Sequence, residues 1–260
     1  MSDSLHFATT RRPGNTRHLA FIHGFTQTSR SWAPIISNLG TDIDTTCFDA
    51  PGHGDSAEIR GDVHRAADLV ATRLRELALD TVLVGYSMGG RIALDLATRR
   101  RSLLRGLVLI SATAGLRTEP ERAERRQRDE SLAQRIESAG VARFIDEWLT
   151  QDLFATLTSE QSNRADRLRN TAPGLAASLR QCGVGSQTPL WDQLPALDIP
   201  ILLIVGELDA KFGELAETMK TAIGANATIE VVEGAGHTAH LERPAETSAA
   251  IRRWLDANRM

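Results

Sequence analysis

Cysteine is nearly missing from this chain: Cys47 and Cys182 are the only two in 260 residues. One lies in an expected strand and the other near an expected helix end, so they make no disulfide scaffold and fit a reducing cytoplasm. No Cys/His cluster has zinc spacing, and no metal or other cofactor is expected. Aromatics are 5% of the residues. No apolar run approaches the roughly 20 residues of a membrane span. Met1 to Arg17 is polar and lacks the apolar core of a signal peptide. The net charge of −3 gives no electrostatic case for nucleic acid or an anionic membrane. Internal repeats and low-complexity linkers are also lacking. What remains fits one α/β domain with an inserted subdomain, working on a small molecule as a monomer or small homo-oligomer.

The chain is organised around Val82-Leu83-Val84-Gly85-Tyr86-Ser87-Met88-Gly89-Gly90-Arg91. A β-branched run ends in Gly85, and Gly-x-Ser-x-Gly follows, the pattern of a nucleophile elbow. The glycines let strand and helix approach across a strained turn, and the hydroxyl stands at the start of a helix whose N–H groups favour negative charge. Met88, Ile92 and Leu96 predict an amphipathic helix after the turn.

Strands are expected over Ser4–Thr9 at an edge, His18–Ile22, Asp44–Asp49, Thr81–Val84, Gly106–Ser111, Ile201–Val205 and Thr228–Val232. Helices are expected over Ser31–Leu39, after the N-cap Asp62, over Phe212–Ile223 and from Pro244. Alternation of this kind means a mostly parallel sheet covered on both faces by helices. From Thr113 to about Cys182 the rhythm is helical only. Pro120 opens a long charged helix, Phe144 and Trp148 share a face, Thr158 and Gln161 form a possible capping box, and Pro173 opens a last helix. The expected organisation is a first core part (1–112), an all-helical cap (113–185) and a second core part (186–260).

A serine hydroxyl needs a base, and the base needs a partner that fixes its tautomer. Asp209 follows the strand ending at Gly206, and His237 follows the strand ending at Glu233; both loops lie at strand C-terminal ends, where open sheets place their sites. The order Ser87, Asp209, His237 is that of α/β-hydrolases. His240 and Glu207 are reserve candidates. An oxyanion hole would use the N–H of Met88 and that of Phe25 in the His23-Gly24-Phe25 loop.

Arg91 lies one helical turn beyond Ser87, which suits an anionic substrate better than a neutral ester. Arg122, Arg125, Arg126, Arg128, Arg164, Arg167 and Arg169 crowd the cap, but interleaved acids make internal ion pairs the simpler reading for any one of them. Trp148 and Phe144 read as core unless the cap opens its underside to the site.

Taken together, His23-Gly24-Phe25, Pro51-Gly52-His53-Gly54, the elbow with Arg91, Arg122-Ala123-Glu124-Arg125, Trp148 through Ala155, Leu168-Arg169, Gly206 through Phe212 and Gly236-His237-Thr238-Ala239-His240 resemble one family. It is the α/β-hydrolase-fold 2-succinyl-6-hydroxy-2,4-cyclohexadiene-1-carboxylate synthases of menaquinone biosynthesis. The resemblance spans nearly the whole chain. It implies a lyase that eliminates pyruvate from an enolpyruvyl cyclohexene bearing a succinyl side chain. It also implies Ser87, Asp209 and His237 as the triad, Arg91, Arg125 and Arg169 as carboxylate ligands, and His23, Tyr86 and Trp148 nearby in the substrate site. After Arg169 the chain reads Asn170-Thr171-Ala172-Pro173-Gly174 where the family has a Ser/Asn-rich run. A carboxylesterase or carbon–carbon bond hydrolase would share the triad and cap, and a non-catalytic ligand receptor would tolerate loss of Ser87.

Overall fold

A computed structural model describes residues 4–260. Seven strands form one sheet, β1 (Phe7–Thr10), β2 (Arg17–Ile22), β3 (Ile43–Phe48), β4 (Thr81–Tyr86), β5 (Leu104–Ile110), β6 (Ile201–Gly206) and β7 (Ala227–Val232). Their spatial order is β1-β3-β2-β4-β5-β6-β7, with only β1 antiparallel to its neighbour. The inner strands are apolar almost throughout because both faces are covered. Leu19, Phe21, Val82, Val84, Val108, Ile110, Leu202 and Ile204 enter one core cluster, while their neighbours Ala20, Ile22, Leu83, Leu107, Leu109 and Leu203 enter the other. This is the two-residue period of a strand with oil on both sides.

Helices α1 (Ala33–Leu39) and α10 (Pro244–Ala257) pack against one another on one face, and α2 (Val63–Leu77) and α3 (Met88–Arg100) on the other, with α8 (Ala210–Ile223) following β6 and the short α9 (Ala239–Glu242) preceding α10. Asp62 caps α2 as expected, its carboxylate accepting from Arg65 N–H at 2.8 Å. The helix after the elbow departs from expectation. Every residue of α3 from Met88 to Ala97 is buried, so it is not amphipathic over that stretch but a core helix.

Between β5 and β6 every element is helical: α4 (Glu119–Ala139), α5 (Val141–Trp148), α6 (Arg164–Arg167) and α7 (Ala172–Cys182). Ala133, Ile136, Phe144, Ile145, Leu175, Ala176 and Leu179 give this segment an apolar core of its own. Helix α4 starts with a full capping box between Thr118 and Glu121. The Thr158–Gln161 pair also bonds reciprocally, but no helix grows from it. The next residues, Ser159 to Asn163, offer no apolar face, and Asn163 turns left-handed at φ 50°. A cap supplies partners for the first turn and cannot replace the burial that sustains a helix.

Among the described residues no helix is long and apolar enough to cross a membrane.

Candidate active site

Strand β4 is the middle strand, and it delivers the elbow. Ser87 sits at φ 50° and ψ −108°, a conformation that costs a non-glycine residue about 1–3 kcal/mol. It persists because strand and helix nearly touch. A Cβ on Gly85 would lie 2.5 Å from the Gly89 carbonyl oxygen, and one on Gly89 would run into the Ile22 carbonyl oxygen.

Parallel pairing brings the C-terminal ends of β2, β4, β6 and β7 to one edge, with Ile22 opposite Gly85 and Gly206 opposite Val232. The loops carrying Phe25, Ser87, Asp209 and His237 therefore converge. His237 Nδ1 lies 2.7 Å from Asp209 Oδ2, and its Nε2 lies 3.4 Å from Ser87 Oγ. Asp209 also caps α8, accepting from Phe212 N–H. The imidazole is 3% exposed, flanked by the rings of Phe212 at 4.4 Å and Tyr86 at 5.4 Å. With Nδ1–H donating to the carboxylate, Nε2 is left as the acceptor for the serine proton.

The reserve candidates sit elsewhere. His240 is fully buried, contacts the Gln27 amide and has its pKa driven far down by burial. Glu207 accepts from Gly234 N–H at 2.9 Å.

The site opens into a cavity of about 560 Å³ walled by the elbow, the cap underside and the start of α8. Ser87, His237, Phe25, Met88, Arg91, Arg125 and Trp148 all line it. Arg91 is 7% exposed, and its guanidinium donates to Gln187 Oε1 at 2.9 Å and to the Cys182 carbonyl at 2.7 Å. Both acceptors are neutral, and among the described residues no carboxylate lies within ion-pairing distance; Asp129, whose field reaches Arg91, is itself paired with Arg125. Burial lowers its pKa to about 10, which still leaves it cationic at neutral pH. Arg125 instead pairs with Asp129 at 2.9 Å, and burial raises the pKa of that carboxyl. Trp148 stands edge-on to Phe25 at 5.2 Å, and its buried indole N–H has no partner among the described residues. Phe144, its stacked neighbour, belongs to the cap core, as read from the sequence.

Three of the residues assigned to substrate by resemblance lie outside this cavity. His23 is fully buried, with Nδ1 at the Gly24 carbonyl and Nε2 accepting from Ala50 N–H, so both nitrogens are engaged by the loops. Tyr86 is packed between His237 and His240 and backs the site from inside the core. Arg169, in the turn just after α6, points to Asp55 at 3.3 Å and does not line the cavity. Arg122, Arg126, Arg128 and Arg164 form the ion pairs expected of a solvated face, with Glu119, Glu119, Glu124 and Asp146.

Two cavity cations were missed. Arg117 lies flat on the Trp191 ring at 3.9 Å, and Lys211 stands beside the triad loop. Neither has a carboxylate within ion-pairing distance among the described residues. Lys211 was visible as the neighbour of Asp209 and Phe212; Arg117 had no signal, because its stacking partner is far along the chain.

A possible cation cluster of His6, Asp49 and Asp55 lies apart from this site. Asp49 already accepts from Ser29 N–H, Asp55 N–H and His6, which marks it as a loop anchor.

Sheet order, elbow and loop convergence define an α/β-hydrolase-fold enzyme, and residues 19–250 match the alpha/beta hydrolase family. The chain is 37% identical to the 2-succinyl-6-hydroxy-2,4-cyclohexadiene-1-carboxylate synthase of Salmonella paratyphi C, over 87% of this chain and 89% of that one. Among solved structures, MenH from S. aureus superposes with a TM-score of 0.92 at 29% identity, covering 98% of this chain and 99% of that one. A malate-bound thermophilic esterase from Thermogutta terrifontis superposes with a TM-score of 0.83 at 27% identity, over 98% and 94% of the two chains. Within the alpha/beta hydrolase family, the chain belongs to the 2-succinyl-6-hydroxy-2,4-cyclohexadiene-1-carboxylate synthases.

Proposed function

We propose that this chain eliminates pyruvate from 2-succinyl-5-enolpyruvyl-6-hydroxy-3-cyclohexene-1-carboxylate, giving 2-succinyl-6-hydroxy-2,4-cyclohexadiene-1-carboxylate for menaquinone biosynthesis. It does so on a free small molecule, without a cofactor, in the cytoplasm, as a monomer or small homo-oligomer. The observation that carries the reading is one cavity holding both a Ser87–His237–Asp209 hydrogen-bonded chain and a buried arginine with no carboxylate within ion-pairing distance among the described residues. An ester hydrolase has no use for that charge, whereas a tricarboxylate does.

His237, oriented by Asp209, takes the Ser87 proton, and the alkoxide removes a ring proton made acidic by the succinyl carbonyl. The enolate oxygen is held by the N–H groups of Phe25 and Met88, neither of which donates to another backbone group among the described residues. Collapse of the enolate breaks the carbon–oxygen bond, and the departing enolate of pyruvate takes the proton held by His237 and tautomerises. Arg91 and Arg125 hold two carboxylates. With Arg169 turned away, Arg117 or Lys211 takes the third. Residues 113–185 act as the cap that closes the cavity.

The test is pyruvate release from the enolpyruvyl substrate, read through a coupled lactate dehydrogenase. Release should fall by about 10⁴-fold or more in Ser87→Ala. Arg91→Ala should raise KM at least about tenfold. Wild-type protein that releases no pyruvate above the uncatalysed rate but accumulates an acyl-serine with a neutral ester would be a carboxylesterase instead.

A further inference from the structure

Arg167 stands apart from the other cap arginines. Only 1% exposed, it has no carboxylate within ion-pairing distance among the described residues. Its neighbour Asp166 is occupied by the Thr28 hydroxyl, at 2.8 Å from both oxygens. Burying an unpaired guanidinium is expensive, and burial lowers its pKa to about 10. Such a group persists where its bonds do something a neutral side chain could not.

One of those bonds crosses from cap to core, and the other anchors the guanidinium within the cap. Arg167 Nε donates to the Ser162 carbonyl at 2.8 Å, and Nη1 donates to the Thr26 hydroxyl. Thr26 directly follows Phe25 and is left-handed at φ 69°, a costly conformation for a β-branched residue. The same turn is held from three more sides. Asn170, also in the cap, donates to the Thr26 carbonyl at 2.7 Å and accepts from Gly54 N–H at 2.9 Å. Thr26 N–H donates to Nε2 of His53 at 3.2 Å, and Thr28 is tied to Asp166. Phe25 itself packs against both the main core and the cap core.

We propose that Arg167 is a positioning residue that clamps Thr26 in its left-handed turn, so that the cap, and not the sheet alone, sets the Phe25 N–H of the oxyanion hole. Asn170 and Asp166 complete the clamp. The oxyanion hole is then finished only when the cap is seated, which couples substrate enclosure to activation. The inference rests on the proposed oxyanion role of Phe25.

Thr26→Val removes the hydroxyl and keeps the branched shape; Arg167→Met removes the charge; Arg167→Lys restores a donor. Each is assayed for pyruvate release, and for hydrolysis of p-nitrophenyl acetate, which draws on the same hole. Hydrogen exchange of residues 24–28 is followed alongside. Thr26→Val and Arg167→Met should each lower kcat by about 10- to 100-fold with KM within about twofold, since small misplacements of a catalytic group cost on that scale. Both should speed exchange at 24–28. The double variant should be no worse than the worse single, because the two act as one contact. Arg167→Lys should recover part of kcat. If Arg167→Met does not fold, Thr26→Val carries the test alone. Unchanged kcat and exchange in Thr26→Val, or additive losses in the double variant, would overturn the clamp. A wild-type protein silent toward the enolpyruvyl substrate would remove the lyase reading, while the exchange result still decides the clamp.

Discussion

Arg91 is held by a neutral amide and a backbone carbonyl, and that choice of acceptors matters more than the presence of the arginine. Had Gln187 been a glutamate, the same 2.9 Å contact would be an ion pair and the cavity would lose a unit of attraction for anions. Gln187→Glu is therefore expected to fold normally, since its buried amide nitrogen has no partner to lose. It should raise KM for the tricarboxylate by about tenfold or more while leaving hydrolysis of a neutral ester within about twofold. Steady-state kinetics on both substrates decide it, and an unchanged KM would mean that Arg91 does not meet a carboxylate. Arg169→Ala is the companion measurement. Paired with Asp55 outside the cavity, Arg169 should prove replaceable with less than about threefold change in KM.

At the level of elements, glycine separates what the sequence makes legible from what it hides. Gly85 and Gly89 were readable as the flanks of an elbow because only a bare backbone allows that approach. The helix starts at Asp62 and Pro120 were readable because they follow local rules. The burial of α3 on all sides was not, since a helix under a sheet edge and beneath a cap takes its environment from segments far away in the chain. The left-handed Thr26 and the outward turn of Arg169 were hidden for the same reason. Their conformations are set by Arg167 and Asp55, and no local pattern announces either contact. The contrast can be measured. Gly89→Ala places a methyl into the Ile22 carbonyl and should yield no soluble, cooperatively unfolding protein. Gly213, inside α8, has open space where a methyl would go, with no neighbour within 4 Å. Gly213→Ala should therefore raise stability by about 0.4–1 kcal/mol in urea unfolding. A destabilised Gly213→Ala would mean that α8 needs its flexibility at the cavity wall.

For the whole molecule, the distinctive electrostatic feature is a set of histidines kept neutral by burial. His53 is depressed to about 3 and His18 to about 4, and His23 and His240 are lowered in the same direction, in each case mainly by desolvation. His18 joins β2 to its two neighbouring strands by bonding the Thr81 and Thr46 hydroxyls at 2.8 and 2.9 Å, and His53 receives Thr26 N–H, so these rings tie together the sheet and the loop beside the nucleophile. Their lowered values fix the sign of the pH dependence. Once the pH drops below the ordinary histidine value of 6.5, the unfolded chain gains protons that the folded chain refuses, so stability falls with acid. Each such ring contributes a slope of up to about 1.4 kcal/mol per pH unit until its own folded value is reached. His18 and His53 together should then cost roughly 3 kcal/mol between pH 6.5 and 5, a large share of the 5–15 kcal/mol that holds a typical domain. The paired carboxylates act in a lower window. Glu130 and Glu147 are held near 2 by arginine hydrogen bonds and lose their contribution only as the pH passes below 4.5. Urea midpoints at pH 7.5 and 5.5 separate the two effects. A clear fall over that interval is expected from the histidines alone, and equal midpoints would show that these rings are solvated enough to titrate in the folded protein.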